Sequence, residues 1–140
     1  MISNRTEYAV RALIELARSS ELKKSDDIAK SQNIPPKFLP HILSDLAKSG
    51  LVKTSRGFRG GIALNRKPKD ILFKTVVDAV QGPLIAYECL IGITDCEFSR
   101  ECILKSVWHG VQTAVDEVLT SITLEDLIKE NNSEVNNDNT

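Results

Sequence analysis

The chain has 140 residues and a mass of 15.5 kDa, the length of one domain with an appended element. At 41% hydrophobic and 26% charged it can bury a core, yet no apolar run reaches the about 18–20 residues that span a bilayer. Met1 to Arg5 hold no apolar signal core, so the chain reads as cytosolic, and an odd count of three cysteines excludes a secreted disulfide scaffold. The net charge of −1 hides a division: residues 1–74 carry 15 Lys and Arg against 7 Asp and Glu, and residues 75–140 carry 3 against 12. A front half of +8 suits a polyanion, and a back half of −9 has another task.

Ser3 is placed to cap a first helix whose apolar stripe is Ala9, Val10, Leu13, Ile14, Leu16 and Ala17. Ser25 caps a short second helix, with Asp26 and Asp27 in its positive first turn, and a tight break follows at Asn33 to Pro35. Pro36 suits the start of a third helix carrying Phe38, Leu39, Ile42, Leu43, Leu46 and Ala47, which Gly50 terminates. Leu51 to Ser55 and Ile62 to Leu64 read as two short strands around the cationic, glycine-rich tip Arg56-Gly57-Phe58-Arg59-Gly60-Gly61. A helix from about Thr75 stops at Gly82-Pro83, and residues 84–101 read as irregular loop. Leu104, Trp108, Val111, Val115, Val118 and Ile122 then recur at alternating steps of four and three, a heptad seam. Thr123 and Asp126 form a capping box for a final helix over Leu124–Lys129, and residues 131–140 are polar enough to be a disordered tail.

Three helices, a tight turn and a hairpin describe a mainly α fold: a winged helix-turn-helix over residues 1–74. A cysteine loop and long C-terminal dimerisation helix follow over residues 75–130. The third helix has the size to enter a major groove, with Lys37, Pro40, His41 and Ser44 near the base edges. At the hairpin tip Arg56 and Arg59 suit a phosphate or the adjacent minor groove, while Gly57 and Gly60 admit close backbone approach. From Lys48 to Lys74 there are eight Lys or Arg against the single acid Asp70. The heptad helix offers a two-sided apolar surface, and a dimer would set two wings on two half-sites. The competing reading is a helical bundle with a solvated basic hairpin and an ordinary core helix.

Cys89, Cys96 and Cys102 fall within fourteen residues. Soft thiolates wrapped in loop backbone suit an iron–sulfur cluster, leaving one ligand position for oxygen, nitrogen or solvent. Three other readings stay open: a zinc site with His109, a thiol redox switch, and buried inert cysteines. No Ser/His/Asp set, phosphate loop or HExxH run is present, so an enzyme is not expected. A zinc-stabilised module binding an acidic protein through its basic hairpin is the alternative from another functional class.

Over residues 1–130 the chain resembles the IscR/NsrR family of winged-helix transcription regulators. The resemblance lies in Thr6-Glu7-Tyr8-Ala9-Val10-Arg11, in Ile34 to Leu51, in Arg56 to Leu64, and in the cysteine trio followed by Ser106-Val107-Trp108. It implies a homodimer on palindromic operators of double-stranded DNA, often as a repressor. It also implies a [2Fe–2S] or [4Fe–4S] cluster on Cys89, Cys96 and Cys102 whose state sets DNA affinity. Members with a histidine ligand carry it three residues after the last cysteine, where this chain has Lys105. Members resembling the nitric-oxide sensor use a first-helix carboxylate of the partner subunit, a position matched here by Glu7, so Glu7 is the expected fourth ligand and His109 the second choice. Pro40 replaces a glutamate frequent in the iron–sulfur members, and one extra residue separates Cys89 from Cys96. A family member without a cluster, governed by thiol oxidation or a partner protein, is the alternative within the family.

Overall fold

The computed structural model describes residues 2–86 and 102–138. In chain order its elements are α1 (Asn4–Ala17), α2 (Ser25–Gln32), α3 (Leu39–Lys48), β1 (Val52–Ser55), β2 (Gly61–Leu64), a 3-10 turn (Pro68–Asp70), α4 (Phe73–Val80), α5 (Lys105–Ser121) and α6 (Leu124–Asp138). The mainly α winged helix-turn-helix architecture follows from this order, with β1 and β2 forming the wing.

Ser3 caps α1 as expected, its hydroxyl accepting from the Thr6 N–H. Ala9, Ala12 and Leu13 are fully buried beneath it, and the two alanines let neighbouring helices come close. Helix α2 begins at Ser25, but Lys24 holds the cap position and makes no side-chain cap bond. Asn33 closes α2 in the left-handed region at φ 54, a conformation asparagine tolerates, and the Ile34 N–H returns to the Ala29 carbonyl at 2.9 Å. The start of α3 falls three residues after Pro36, because the Phe38 N–H bonds to the Pro35 carbonyl and residues 36–38 form a turn. Pro40 then sits in the first turn of α3, where its missing N–H costs no helical bond. Gly50 takes φ +74 just after α3.

The wing is antiparallel, pairing Val52 with Leu64 and Ser55 with Gly61. A third partner lies in the segment before α2. Lys23 and Ile62 exchange both backbone bonds, at 3.0 and 2.7 Å, which fixes the wing against the helix-turn-helix. Gly61 is required at this contact, since a Cβ there would stand 2.9 Å from the Lys23 carbonyl oxygen.

Helix α4 packs on α1 and α3, where Val76 and Val80 join their core cluster, and Val77 is buried as well. Gln81 ties its end back to α1: its side-chain oxygen accepts from the Ser3 N–H at 2.8 Å and from the buried Thr6 hydroxyl. Leu72 and Thr123 form a second small bridge, with the Phe73 N–H on the Ile122 carbonyl and the Leu124 N–H on the Ile71 carbonyl, each at 2.8 Å. The capping box opening α6 is as expected: Asp126 accepts from the Thr123 N–H and hydroxyl, and the Asp126 N–H donates to that hydroxyl.

The expected disordered tail is corrected in part. Helix α6 does not end at Lys129 but runs to Asp138. Arg18 at the end of α1 donates to both Asn131 and Asn132 side-chain oxygens at 2.7 Å, and these contacts hold the polar turn after Lys129 in the helix.

Candidate nucleic-acid interface and cysteine segment

Helix α3 buries Leu39, Ile42, Leu43 and Leu46. Its outward face, on the helical spacing, carries Pro40, His41, Ser44 and Lys48, all exposed, with Lys37 exposed in the preceding turn. The four reading residues expected from sequence therefore share one accessible surface. Asp45, the one acid on α3, is neutralised by Arg5 of α1 across 2.7 Å. The Lys37 ammonium lies 5.0 Å from the Phe38 ring centroid, which steadies both at the helix entrance.

At the wing tip Arg56, Gly57 and Arg59 are exposed and Gly60 is half-buried. Gly57 has φ +99 and its carbonyl accepts from the Gly60 N–H at 3.0 Å, closing the turn. A Cβ on Gly60 would stand 2.2 Å from the Ser55 carbonyl oxygen. The tip is thus a tight backbone loop from which the two arginines project.

Sequence reasoning left two residues unassigned that the structure brings to this tip. Phe58 is 93% exposed, and the Lys24 ammonium lies 5.7 Å from its ring centroid. Lys24 and Ser25 face Gly57 and Gly60 across a shallow cleft. An aromatic interleaved with arginines was the available signal for Phe58. Lys24 had none, because its approach depends on the Lys23 bridge.

Of the cysteine trio, Cys102 is half-buried, and its carbonyl accepts from the Lys105 N–H at 3.2 Å where α5 begins. Cys89 and Cys96 lie outside the described residues. Among the described residues no group of three or more His, Cys, Asp or Glu could hold a metal ion. Glu7 is exposed on α1, ion-paired with Arg11, and lines a groove of about 410 Å³ between α1 and α6 with Phe73, Leu127 and Glu130. His109 is exposed on α5.

Helix α5 contributes one buried residue, Leu119, to its own chain. Along the expected seam Leu104, Val111 and Val118 are 45%, 41% and 56% exposed, Trp108 and Val115 are half-buried, and Val107 adds a further exposed apolar side chain. Ile122 is half-buried and fixed to α4 through its carbonyl. Gln112, absent from the seam, clamps the start of the cysteine segment: it accepts from the Ala86 N–H at 2.7 Å and donates to the Leu84 carbonyl at 2.9 Å.

A family model described as Rrf2, an iron-dependent transcriptional regulator, matches residues 2–130. The chain belongs to the Rrf2 family. A Mycobacterium tuberculosis relative named as an HTH-type transcriptional regulator is 37% identical over 129 residues, covering 90% of this chain and 80% of its own. The HTH-type transcriptional regulator IscR of Vibrio atlanticus is 32% identical and covers 93% of this chain and 76% of its own. Among solved structures, the global cysteine regulator CymR of B. subtilis is similar with a TM-score of 0.75 and 31% identity, over 93% of this chain and 97% of that one. The IscR of T. potens gives a TM-score of 0.72 and 32% identity, over 93% and 87%. The resemblance to IscR-type regulators is thereby borne out, and the chain is a DNA-binding transcription regulator of the Rrf2 family. No helix among the described residues is long and apolar enough to cross a membrane.

Proposed function

We propose that the chain works as a homodimer in the cytoplasm, binding palindromic operators of duplex DNA as a repressor, with affinity set by an iron–sulfur cluster. The observation carrying the DNA-reading part is the shared exposed face of Pro40, His41 and Ser44 beside a wing whose tip projects Arg56 and Arg59. The dimer reading rests on α5, a seventeen-residue helix that buries only Leu119 in its own chain while Leu104, Val111 and Val118 face solvent. Covering that apolar surface with a second copy removes it from water, and the gain scales with the area covered.

The donor chemistry of the cysteine segment fits the cluster: three thiols within fourteen residues, with Cys102 accessible at the head of α5. Cys89, Cys96 and Cys102 would hold it, with Glu7 of the partner subunit as fourth ligand and His109 as the alternative. When bound, such a cluster, [2Fe–2S] or [4Fe–4S], supplies a link that oxidation or nitric oxide breaks. Glu7 stands on α1 of the DNA-reading unit and Cys102 at the head of α5, so the link would join one subunit's reading head to its partner's seam. Losing it would alter the spacing of the two α3 helices, and a coupling of about 1–3 kcal/mol is enough for a regulatory switch. Glu7 must leave Arg11 to serve, which makes the ion pair its resting partner when no cluster is held.

The test is oxygen-free purification and enzymatic loading of wild type and Glu7→Ala, with iron and sulfide counts and operator affinity before and after cluster destruction. A coloured, iron-loaded wild type whose affinity changes on destruction, and a Glu7→Ala chain that loses that change, is the expected result. Colourless, iron-free wild type overturns the cluster. In that event the likeness to a cysteine regulator supports the second reading, in which the same thiols respond by oxidation.

A further inference from the structure

Phe58 is the most exposed large hydrophobic side chain among the described residues, at 93%. It stands between Arg56 and Arg59 on a two-stranded wing. Its position is held from three sides. The backbone turn is closed by the Gly60 N–H on the Gly57 carbonyl, the crowding at Gly60 prevents any side chain from loosening it, and the Lys24 ammonium rests by the ring at 5.7 Å. A solitary exposed phenylalanine is unremarkable on most surfaces. Here it is presented at the tip of the element that carries the cations, almost wholly exposed among the described residues.

We propose that Phe58 is an apolar wedge that enters the minor groove and partly unstacks a base step when the wing docks on duplex DNA. This deepens the DNA-binding reading and rests on it. Arg56 and Arg59 follow the narrow groove electrostatically, while the ring takes the place between bases that a phenylalanine fills well. Lys24 positions the ring before binding and meets a flanking phosphate after it, its ammonium standing at the ring face beside the wing tip. Sequence preference at the wing then comes from the ease of opening a step, favouring flexible pyrimidine–purine steps, rather than from hydrogen bonds to base edges.

The experiment uses the full chain and a duplex that the wild type selects from a random-sequence pool. DNA bending is read by energy transfer between the duplex ends, and unstacking by 2-aminopurine placed at each step under the wing. Wild type bends the duplex and brightens one 2-aminopurine position. Phe58→Ala binds about tenfold more weakly, loses the bend and the fluorescence change, and keeps both its melting temperature and its salt dependence. Phe58→Leu, which keeps an apolar wedge, restores most of the bend. A Phe58→Ala chain that bends and brightens the duplex like wild type overturns the wedge, as does one that loses affinity with the bend intact. A wild type that selects no duplex overturns the DNA-binding reading itself, and the wedge falls with it.

Discussion

One carboxylate, Glu15 on α1, joins three segments. It accepts from the Gln32 side chain at 2.6 Å, the Ser31 hydroxyl at 3.0 Å and the Lys23 ammonium at 3.4 Å. Burial alone would push its carboxyl up, but the hydrogen bonds from Gln32, Ser31 and Lys23, with the Lys23 charge, outweigh burial and hold it below its ordinary 4.5. A carboxyl with a lower value folded than unfolded stabilises the fold above the unfolded value and loses that contribution as pH falls through the folded one. Wild type is therefore expected to lose stability as pH drops below about 4.5, and Glu15→Gln to be less stable at neutral pH with a flatter acid limb. A charged acceptor with several donors is worth about 1–3 kcal/mol at pH 7. Melting temperatures of the two chains from pH 7 to pH 3 check this, and parallel acid limbs would remove Glu15 as the cause. The consequence reaches the DNA surface, because Lys23 also carries the bridge that seats the wing.

At the scale of elements, what was legible in the sequence is what short-range chemistry decides. Ser3 as a cap, the break at Asn33, Gly50 after α3 and the Thr123–Asp126 box each depend on residues within one turn of each other, and each is found in place. Boundaries are not legible where a partner outside the local pattern decides. Helix α3 starts late because Pro36 opens a turn closed by Phe38 on Pro35 rather than a helix. Helix α6 runs past Lys129 because Arg18, more than a hundred residues earlier, bonds Asn131 and Asn132. The single-residue bridge at Lys23 has no periodicity to betray it, so Lys24 was missed beside Phe58. Helix α5 shows a pattern whose meaning needs a second chain: the heptad seam was legible, and its exposed valines say that the chain's own core does not use them. Val111→Glu with Val118→Glu should leave the monomer's melting behaviour within about 0.5 kcal/mol, as surface substitutions do. The same pair should abolish the dimer, because it buries two like charges per subunit in an apolar seam. Sedimentation at micromolar concentration reads the outcome, and an unchanged dimer would place the interface elsewhere.

For the whole molecule, the division of charge and the proposed dimer meet in one measurable quantity, the salt dependence of DNA binding. The basic half, at +8, contains α3 and the wing, whereas the acidic half, at −9, contains α4 from Thr75 onward, α5 and α6. The cations suited to phosphate are thus concentrated in the helix-turn-helix and wing of each subunit, and the proposed dimer through α5 would present two such units. Each cation that displaces condensed counterions adds about 0.9 to the slope of log affinity against log salt. Arg59 is exposed at the wing tip and has no ion-pair partner among the described residues. With one wing on the duplex, Arg59→Ala lowers the slope by about 0.9; with two wings, each losing its arginine, it lowers it by about 1.8. The expected result is the larger value, measured by titrating a selected duplex at several salt concentrations. The dimer-disrupting Val111 and Val118 pair supplies the comparison: on that background Arg59→Ala should lower the slope by the smaller value. An unchanged slope in both backgrounds would remove the wing from the interface, whereas the smaller value in both would leave the wing in place and remove the second subunit from the complex.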